Sequence, residues 1–247
     1  MKIAHLRFYE ELNDFLPAAK KKIRFEHNFS GTPSVKDLIE SLGVPHTEID
    51  LILVNGKSVD FSQKINDGDV ISVYPVFESL DIKEVQHLRE NTLRTPKFIL
   101  DVHLGTLARY LRMLGFDTLY RNNYSDDEIV SISGIEARTI LTKDKGILKH
   151  NKVNRGYYVR NSNPEEQLSE VVLRFDLNKS INEFTRCLEC NTILKKIEKN
   201  EVADRIPEKV KEKQTDFYIC NSCNKIYWPG SHYNKMKETI KKIVKQN

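Results

Sequence analysis

Two short apolar segments that each lead to an aspartate constrain the fold of this chain more than any other feature. The first is Phe98-Ile99-Leu100, followed directly by Asp101, and the second is Thr139-Ile140-Leu141-Thr142, followed two residues later by Asp144. Each segment has the length and apolar content of a buried strand in a parallel sheet. The carboxyl ends of such strands line the ligand crevice, so we expect both carboxylates at one edge of the sheet.

The residues between the two segments predict a helix, a strand and a second helix. Apolar side chains recur at helical spacing from Leu104 to Leu114, and Gly115 then provides a C-terminal cap. A strand is predicted over 116–121. Ser125 and Glu128 have the spacing of a capping box, which marks the start of the next helix. This order predicts a three-layer α/β sandwich with a mostly parallel sheet.

The aspartates of this region are candidate ligands for a divalent cation. Mg²⁺ takes few protein carboxylates and keeps several waters that substrate oxygens can replace. We therefore expect Asp101 and Asp144 to bind Mg²⁺ or Mn²⁺. Asp126 and Asp127 are either further ligands or acids favoured by the helix dipole, because they stand in the first turn of a predicted helix.

Basic residues near these aspartates are candidate phosphate-binding groups. Arg109 and Arg112 lie off the apolar stripe of the first predicted helix, and Lys143 precedes Asp144. Guanidinium and ammonium groups form charge-assisted hydrogen bonds with phosphate. His103 can bind phosphate when its imidazole is protonated.

An ordered set of motifs in this region resembles the Mut-seven C-terminal RNase domain family. The motifs are Asp101 after a strand, L-G-x-L-A-R-Y-L-R-M-L-G-F-D-T over 104–118, Ser125 to Glu128, and L-T-K-D-K-G-I-L over 141–148. The resemblance continues through Tyr157 to Arg160, Asn163 to Leu168 and the downstream cysteines.

This family is similar to the PIN domains, which are metal-dependent ribonucleases with three or four carboxylates. The resemblance therefore implies a PIN-like ribonuclease with Asp101, Asp126, Asp127 and Asp144 as catalytic residues. In one departure, His103 stands near the first aspartate where the family usually has a basic residue.

The first 80 residues predict a separate domain of the order β-β-α-β-β. Alternating apolar residues mark strands over 2–8 and 22–27, and Ser34 caps a short helix. Asn55-Gly56 is a hairpin turn, and a final strand follows Asp67-Gly68-Asp69. The pattern resembles the ubiquitin-like β-grasp domains of sulfur carriers.

Sulfur carriers act through a C-terminal Gly-Gly, which is missing after the last predicted strand of this domain. We therefore expect an accessory domain that binds a protein partner, the substrate or its own catalytic neighbour. The predicted organisation is a β-grasp domain over 1–80, a linker over 81–95, a PIN-like RNase domain over 96–180, and a zinc ribbon with a basic C-terminal helix over 181–247.

All four cysteines occur in two C-x2-C pairs, Cys187 with Cys190 and Cys220 with Cys223. Four thiolates at this spacing suit one tetrahedral Zn²⁺ with no open coordination position, so the predicted zinc is structural. Thioredoxin-like redox motifs are the alternative, but neither pair follows a βαβ pattern. The residues between the pairs predict an inserted loop with a short helix over 200–213.

The segment from Tyr227 to His232 supports two interpretations. Trp228 has the chemistry to stack on an RNA base and His232 to contact phosphate. Alternatively, the aromatic residues pack the ribbon against the nuclease domain. Apolar residues at helical spacing in the tail, Met236, Ile240, Ile243 and Val244, predict a basic amphipathic helix that docks by its apolar edge.

Charge and hydropathy narrow the class of function. The net charge is +4, and residues 181–247 carry a net +5, so an RNA-contacting surface is expected toward the C-terminal part. No apolar run reaches membrane length and no signal sequence precedes the first strand, so we expect a cytoplasmic protein without a membrane partner.

Two hypotheses of function follow, and a third class is excluded. The first is a metal-dependent ribonuclease with RNA as substrate. The second is a non-catalytic RNA- or ribosome-binding adaptor that uses the zinc ribbon and the basic tail. Phosphoryl transfer of the haloacid-dehalogenase type needs Asp-x-Asp after the first strand, whereas residue 103 here is a histidine.

Overall fold

The computed structural model describes residues 1–75 and 96–245. The predicted linker, 81–95, lies outside the described residues. The described chain forms two compact units, the first made of residues 1–75, 130–136 and 144–158 and the second of residues 96–129, 137–143 and 159–245. The first unit therefore contains residues from the predicted RNase domain.

The N-terminal part of the first unit is built on a five-stranded mixed sheet. Its elements are β1 (Lys2–Phe8), β2 (Phe25–Phe29), α1 (Val35–Ser41), β3 (Ile49–Val54), β4 (Lys57–Val59) and β5 (Val70–Pro75). The strand order is β2-β1-β5-β3-β4, in which only β1 and β5 are parallel neighbours. This arrangement confirms the predicted β-grasp fold.

Local sequence signals explain these elements. The side chain of Ser34 accepts the backbone N–H of Asp37, whose carboxylate in turn accepts from Ser34, so a complete capping box starts α1. Asn55 and Gly56 adopt positive φ angles of 52° and 79° in the turn between β3 and β4. Alternate side chains of β1 enter the core, as the period-two pattern predicts.

The remaining part of the chain begins with a parallel sheet and its helices. In chain order the elements are β6 (Phe98–Leu100), α2 (Gly105–Met113), β7 (Thr118–Leu119), α3 (Asp126–Glu136), β8 (Thr139–Thr142), α4 (Lys145–Leu148), β9 (Gly156–Tyr158) and α5 (Pro164–Arg174). In the second unit β6 lies between β7 and β8 and is parallel to both. The strand predicted over 116–121 is shorter in the structure.

The connection after α2 requires glycine. Gly115 has a φ of 92°, and a Cβ there would lie 2.2 Å from the carbonyl oxygen of Asn182. This left-handed position ends α2 as predicted. It also lets the chain of the C-terminal region approach the helix end closely, because the Asn182 N–H donates to the Leu114 carbonyl at 2.9 Å.

The cysteine region forms a small antiparallel sheet with a helical insertion. Its elements are β10 (Lys195–Ile197), α6 (Lys199–Val202), α7 (Glu208–Lys213), β11 (Phe217–Ile219), β12 (Ile226–Tyr227) and α8 (Ser231–Lys245). The strand order is β10-β11-β12. Ile240 of α8 is buried and α8 packs on α5, as expected for docking by an apolar edge.

Within residues 1–75 and 96–245, every helix is too short or too polar to cross a lipid bilayer.

A buried polar network joins the parallel sheet to the residue after Cys190. Asp117 accepts hydrogen bonds from Arg138 at 2.7 Å and from the side-chain amide of Asn191 at 2.8 Å. The amide oxygen of Asn191 accepts the backbone N–H of Thr118 at 3.0 Å. Burial alone would raise the pKa of Asp117, but the hydrogen bonds from Arg138 and Asn191 hold that pKa below its ordinary value.

We predict that Asp117→Asn lowers the free energy of unfolding by about 2 kcal/mol at pH 7, because it removes the charged partner of Arg138. The pKa of Asp117 is lower in the folded than in the unfolded protein. Its contribution to stability is therefore present above the ordinary aspartate pKa of about 3.9 and is lost as the pH falls through the pKa of the folded protein. Denaturant unfolding at pH 7 and near pH 3 measures both effects.

The control for this measurement is Asp204→Asn, an exposed aspartate of the ribbon insertion. Its stability is expected to stay within about 0.5 kcal/mol of wild type. Equal stability of the Asp117 and Asp204 variants at pH 7 would contradict the structural role of the network.

Candidate functional site

The four cysteines come together in the second unit. Their Sγ atoms all lie within 4.8 Å of one another. The Sγ atoms of Cys187 and Cys223 are 3.5 Å apart, and those of Cys190 and Cys220 are 3.2 Å apart. A tetrahedral Zn²⁺ with Zn–S bonds of about 2.3 Å would place its sulfurs about 3.8 Å apart. The cluster therefore fits one structural zinc ion.

The two C-x2-C turns have the same backbone geometry. Each pair is followed by an asparagine with positive φ, 71° at Asn191 and 59° at Asn224. The N–H of each asparagine donates to the carbonyl of the first cysteine of its pair, at 3.0 Å for Cys187 and 2.8 Å for Cys220. Asparagine tolerates this left-handed conformation, which turns both cysteine side chains of a pair toward one point.

The electrostatics of the thiols also indicate a cation site. Burial alone would raise the pKa of Cys190, but hydrogen bonds from Thr192 and from the neighbouring thiols lower it to about 6. Burial and contacts with the other cysteines raise the pKa of Cys223 to about 12. The ionisation of the four thiols is therefore coupled, and a bound cation would favour the thiolate form of all of them.

The side chain of Tyr227, outside the cysteine pairs, contacts this cluster. The hydroxyl of Tyr227 lies 3.1 Å from the Sγ of Cys187 and accepts the backbone N–H of Leu188 at 3.2 Å. A metal-bound thiolate can only accept a hydrogen bond, so the phenolic O–H would be the donor when a metal ion occupies the cluster. Burial, with the nearby Cys187 sulfur, raises the pKa of Tyr227. Tyr227 is therefore placed to donate a hydrogen bond to a metal-bound Cys187 sulfur.

The structure corrects the prediction for Arg112. Its side chain is 3% exposed. It donates to the carbonyls of Thr118 at 2.9 Å, Leu188 at 3.0 Å and Glu189 at 2.8 Å. Burial lowers the pKa of Arg112, although the Cys187 and Cys190 charges oppose that effect. The guanidinium attaches the first cysteine turn to β7, where it cannot reach a phosphate in solvent.

Asp101 lies directly after β6 and is 3% exposed. Its Oδ1 accepts the N–H of His103 at 2.8 Å, and its Oδ2 accepts the N–H of Lys143 at 2.7 Å and a short hydrogen bond from the Thr142 hydroxyl. A carboxylate has about four acceptor positions, so three donors leave room for one further partner. The donors fix the carboxylate at the carboxyl ends of β6 and β8.

Asp126 and Asp127 are exposed in the first turn of α3. The backbone N–H and hydroxyl of Ser125 both donate to the carboxylate of Glu128, which confirms the predicted capping box. In the described residues the four cysteines are the one group of three or more potential metal ligands. The structure therefore does not bring Asp101, Asp126 and Asp127 together as such a group.

Asp144 is an exposed residue at the N-terminus of α4. Its side chain accepts the N–H of Gly146 at 2.6 Å. Asp144 is therefore the N-terminal cap of α4. The hydrogen bond from Gly146 occupies one acceptor position of one carboxylate oxygen.

The other predicted substrate-binding residues lie in different surroundings. His103 is exposed. Arg109 is exposed on α2 with Glu189 at 3.8 Å. The ammonium of Lys143 donates to the carbonyl of Arg160 at 3.0 Å. Trp228 packs against the small core of the ribbon itself, with its ring 6.5 Å from that of Phe217. His232 is the second residue of α8, and its side chain lies outside the described part.

Three contacts near the candidate site were not predicted from the sequence. Thr142 orients Asp101, Tyr227 contacts a cysteine, and Asn191 joins the first cysteine turn to β7. A signal for Asn191 exists, because an asparagine follows both C-x2-C pairs. The contacts of Thr142 and Tyr227 depend on tertiary structure and have no comparable local pattern.

Comparisons with known proteins agree with this architecture. Residues 96–240 match the family model of the Mut7-C RNAse domain, and residues 1–81 match that of the Mut7-C ubiquitin domain. A solved structure described as putative molybdopterin converting factor, subunit 1, from Pyrococcus furiosus is 24% identical, with 30% of this chain and 98% of that chain covered and a TM-score of 0.25. Curated proteins gave no match.

We predict that Tyr227→Phe weakens zinc retention about tenfold, because it removes the hydrogen bond to the Cys187 sulfur. Competition with a chromogenic chelator measures the effect, after elemental analysis has established the zinc content. The matched control is Tyr218→Phe, a tyrosine on the neighbouring strand β11. Absence of zinc from freshly purified reduced protein would contradict the metal site, and equal retention in both variants would contradict the role of Tyr227.

Proposed function

Because the chain belongs to the Mut7-C RNAse domain family, we propose that it is a metal-dependent ribonuclease that hydrolyses RNA phosphodiester bonds. The single observation that carries the proposal is the environment of Asp101. A buried carboxylate at a strand end is held by the Thr142 hydroxyl and by two backbone N–H groups. Such a group is oriented before any ligand binds.

The proposed metal ligands are carboxylates, and the donor chemistry fits Mg²⁺ or Mn²⁺. Asp101 is the central ligand. Asp144 is included for its place in the sequence two residues after β8, and Asp126 or Asp127 for its place in the first turn of α3. When bound, the cation supplies Lewis acidity and lowers the pKa of a bound water.

The protein groups have distinct proposed tasks. Thr142 and the backbone N–H of Lys143 hold the Asp101 carboxylate in one orientation. His103 and Arg109 are exposed and are proposed to bind RNA phosphates. The Lys143 ammonium can exchange its contact with the Arg160 carbonyl for a phosphate. His232 remains a candidate phosphate contact from its sequence position alone.

The zinc cluster has a structural task in this proposal. Four thiolates fill the coordination sphere of zinc and leave no position for substrate. Arg112 and Asn191 connect the first cysteine turn to β7, so zinc supports the sheet on which Asp101 is placed. The proposed hydrolysis therefore depends on zinc through folding rather than through chemistry at the zinc ion.

We predict that Asp101→Asn and Asp144→Asn each reduce RNA cleavage at least about a hundredfold, because each removes a negatively charged metal ligand. Thr142→Val should reduce cleavage about tenfold, since it removes only the hydroxyl that orients Asp101. The assay uses full-length zinc-loaded protein, a panel of labelled RNAs, and Mn²⁺, Mg²⁺ or EDTA. Asp204→Asn is the carboxylate control and should retain wild-type activity.

The same assay distinguishes the ribonuclease hypothesis from the hypothesis of a non-catalytic RNA-binding adaptor. The adaptor hypothesis expects RNA binding without cleavage, unaffected by EDTA and by neutralisation of Asp101. Stability must be measured in parallel, because Asp101→Asn also alters hydrogen bonds that hold β8. Cleavage by a folded Asp101→Asn protein at the wild-type rate would contradict the proposed site.

A further inference from the structure

The first unit contains a segment that the family comparison assigns to the RNAse domain. Residues 144–158, here called the carboxylate segment because Asp144 begins it, pack with the β-grasp residues 1–75. From these contacts we infer that the ubiquitin-like domain positions the Asp144 turn of the nuclease. The inference rests on the proposed function, in which Asp144 is a metal ligand.

Glu48 is the first contact that supports the inference. It ends a short 3₁₀ helix, His46–Glu48, in the β-grasp domain and is fully buried. Its carboxylate accepts the backbone N–H of Tyr158 at 2.5 Å. A buried carboxylate is costly unless it is hydrogen-bonded. The carboxylate segment supplies one such partner for Glu48, the backbone N–H of Tyr158.

His46 forms a second contact two residues earlier. Its Nε2 lies 2.8 Å from the carbonyl oxygen of Val153 and its Nδ1 lies 2.6 Å from the Glu40 carboxylate. A carbonyl only accepts, so Nε2 carries the donated proton. The imidazole is 7% exposed and its ring packs edge-on against Phe61. The β-grasp helix and the middle of the carboxylate segment are thus joined through one buried ring.

Further contacts hold the start of the segment. The ammonium of Lys145, the residue after Asp144, lies 5.0 Å from the Phe15 ring centre and 5.2 Å from that of Tyr158. Such cation–π contacts are favourable within about 6 Å. The ammonium of Lys149 donates to the Glu40 carbonyl at 3.1 Å. Contacts at Lys145, Lys149, Val153 and Tyr158 therefore restrain the segment along its length.

This distribution favours a positioning role for the domain over incidental packing. The contacts begin next to Asp144 and end at Tyr158, and two of them use buried ionisable side chains of the β-grasp domain. A fixed position for α4 also fixes its cap, because the Asp144 carboxylate accepts from the Gly146 N–H. Ligand groups must be held to a fraction of an ångström to preorganise a metal site.

The test uses full-length zinc-loaded protein and four variants. Glu48→Ala removes the acceptor for the Tyr158 N–H, whereas Glu48→Gln keeps an amide oxygen in its place. Lys149→Met removes a contact from the segment side without altering the β-grasp core. Glu26→Ala, an exposed carboxylate on β2, is the control. The readouts are amide hydrogen exchange of residues 144–158 and the Mn²⁺ concentration for half-maximal RNA cleavage.

Glu48→Ala should increase exchange in residues 144–158 and raise the half-maximal Mn²⁺ concentration about tenfold, with cleavage largely recovered at saturating Mn²⁺. Glu48→Gln should restore both quantities, and Glu26→Ala should alter neither. If Glu48→Ala does not fold, Lys149→Met must increase amide exchange in residues 144–158 and raise the half-maximal Mn²⁺ concentration. Unchanged exchange, or increased exchange with an unchanged Mn²⁺ requirement, would overturn the inference.

The two proposals fail in different ways. If the wild type cleaves no RNA in any metal, the proposed function is wrong. Mn²⁺-induced protection of residues 144–158 then replaces cleavage as the second readout. Loss of that protection in Glu48→Ala with recovery in Glu48→Gln would support positioning, and equal protection in all variants would overturn it.

Discussion

The hydrogen-bonded carboxylate of Asp101 is the interaction on which the second unit depends. Its two oxygens accept the N–H of His103, the N–H of Lys143 and the hydroxyl of Thr142. These bonds join the ends of two parallel strands that have no hairpin between them. A buried carboxylate at this point is stabilised by the donors, and its remaining acceptor position is the basis of the proposed metal site.

The first cysteine turn is attached to the edge strand β7 of the parallel sheet by side-chain hydrogen bonds, although the cysteine region has a separate sheet of its own. The guanidinium of Arg112 donates to the carbonyl of Thr118 in β7 and to that of Leu188 in the first cysteine turn. The amide oxygen of Asn191 accepts the backbone N–H of Thr118. Gly115 allows the backbone of the following region to approach the end of α2. A metal ion held by the four cysteines would therefore stabilise the edge of the sheet whose central strand leads to Asp101.

The elements could be predicted from sequence where the signal is local. Ser34 and Gly115 mark helix ends that the structure confirms, and the C-x2-C spacing predicts the cysteine cluster. The burial of Arg112 could not be predicted, because its acceptors Leu188 and Glu189 are distant in sequence and are backbone carbonyls. The contacts of Glu48 with the carboxylate segment were missed for the same reason: they join residues 110 positions apart.

The most direct test of the account is Mn²⁺ binding by the zinc-loaded protein, measured by electron paramagnetic resonance. The measurement compares wild type with Asp101→Asn under conditions in which both are folded. The account predicts that the wild type binds Mn²⁺ in addition to zinc and that Asp101→Asn loses this binding while its zinc content is unchanged. Equal Mn²⁺ binding by the two proteins would contradict the assignment of Asp101 as the central metal ligand.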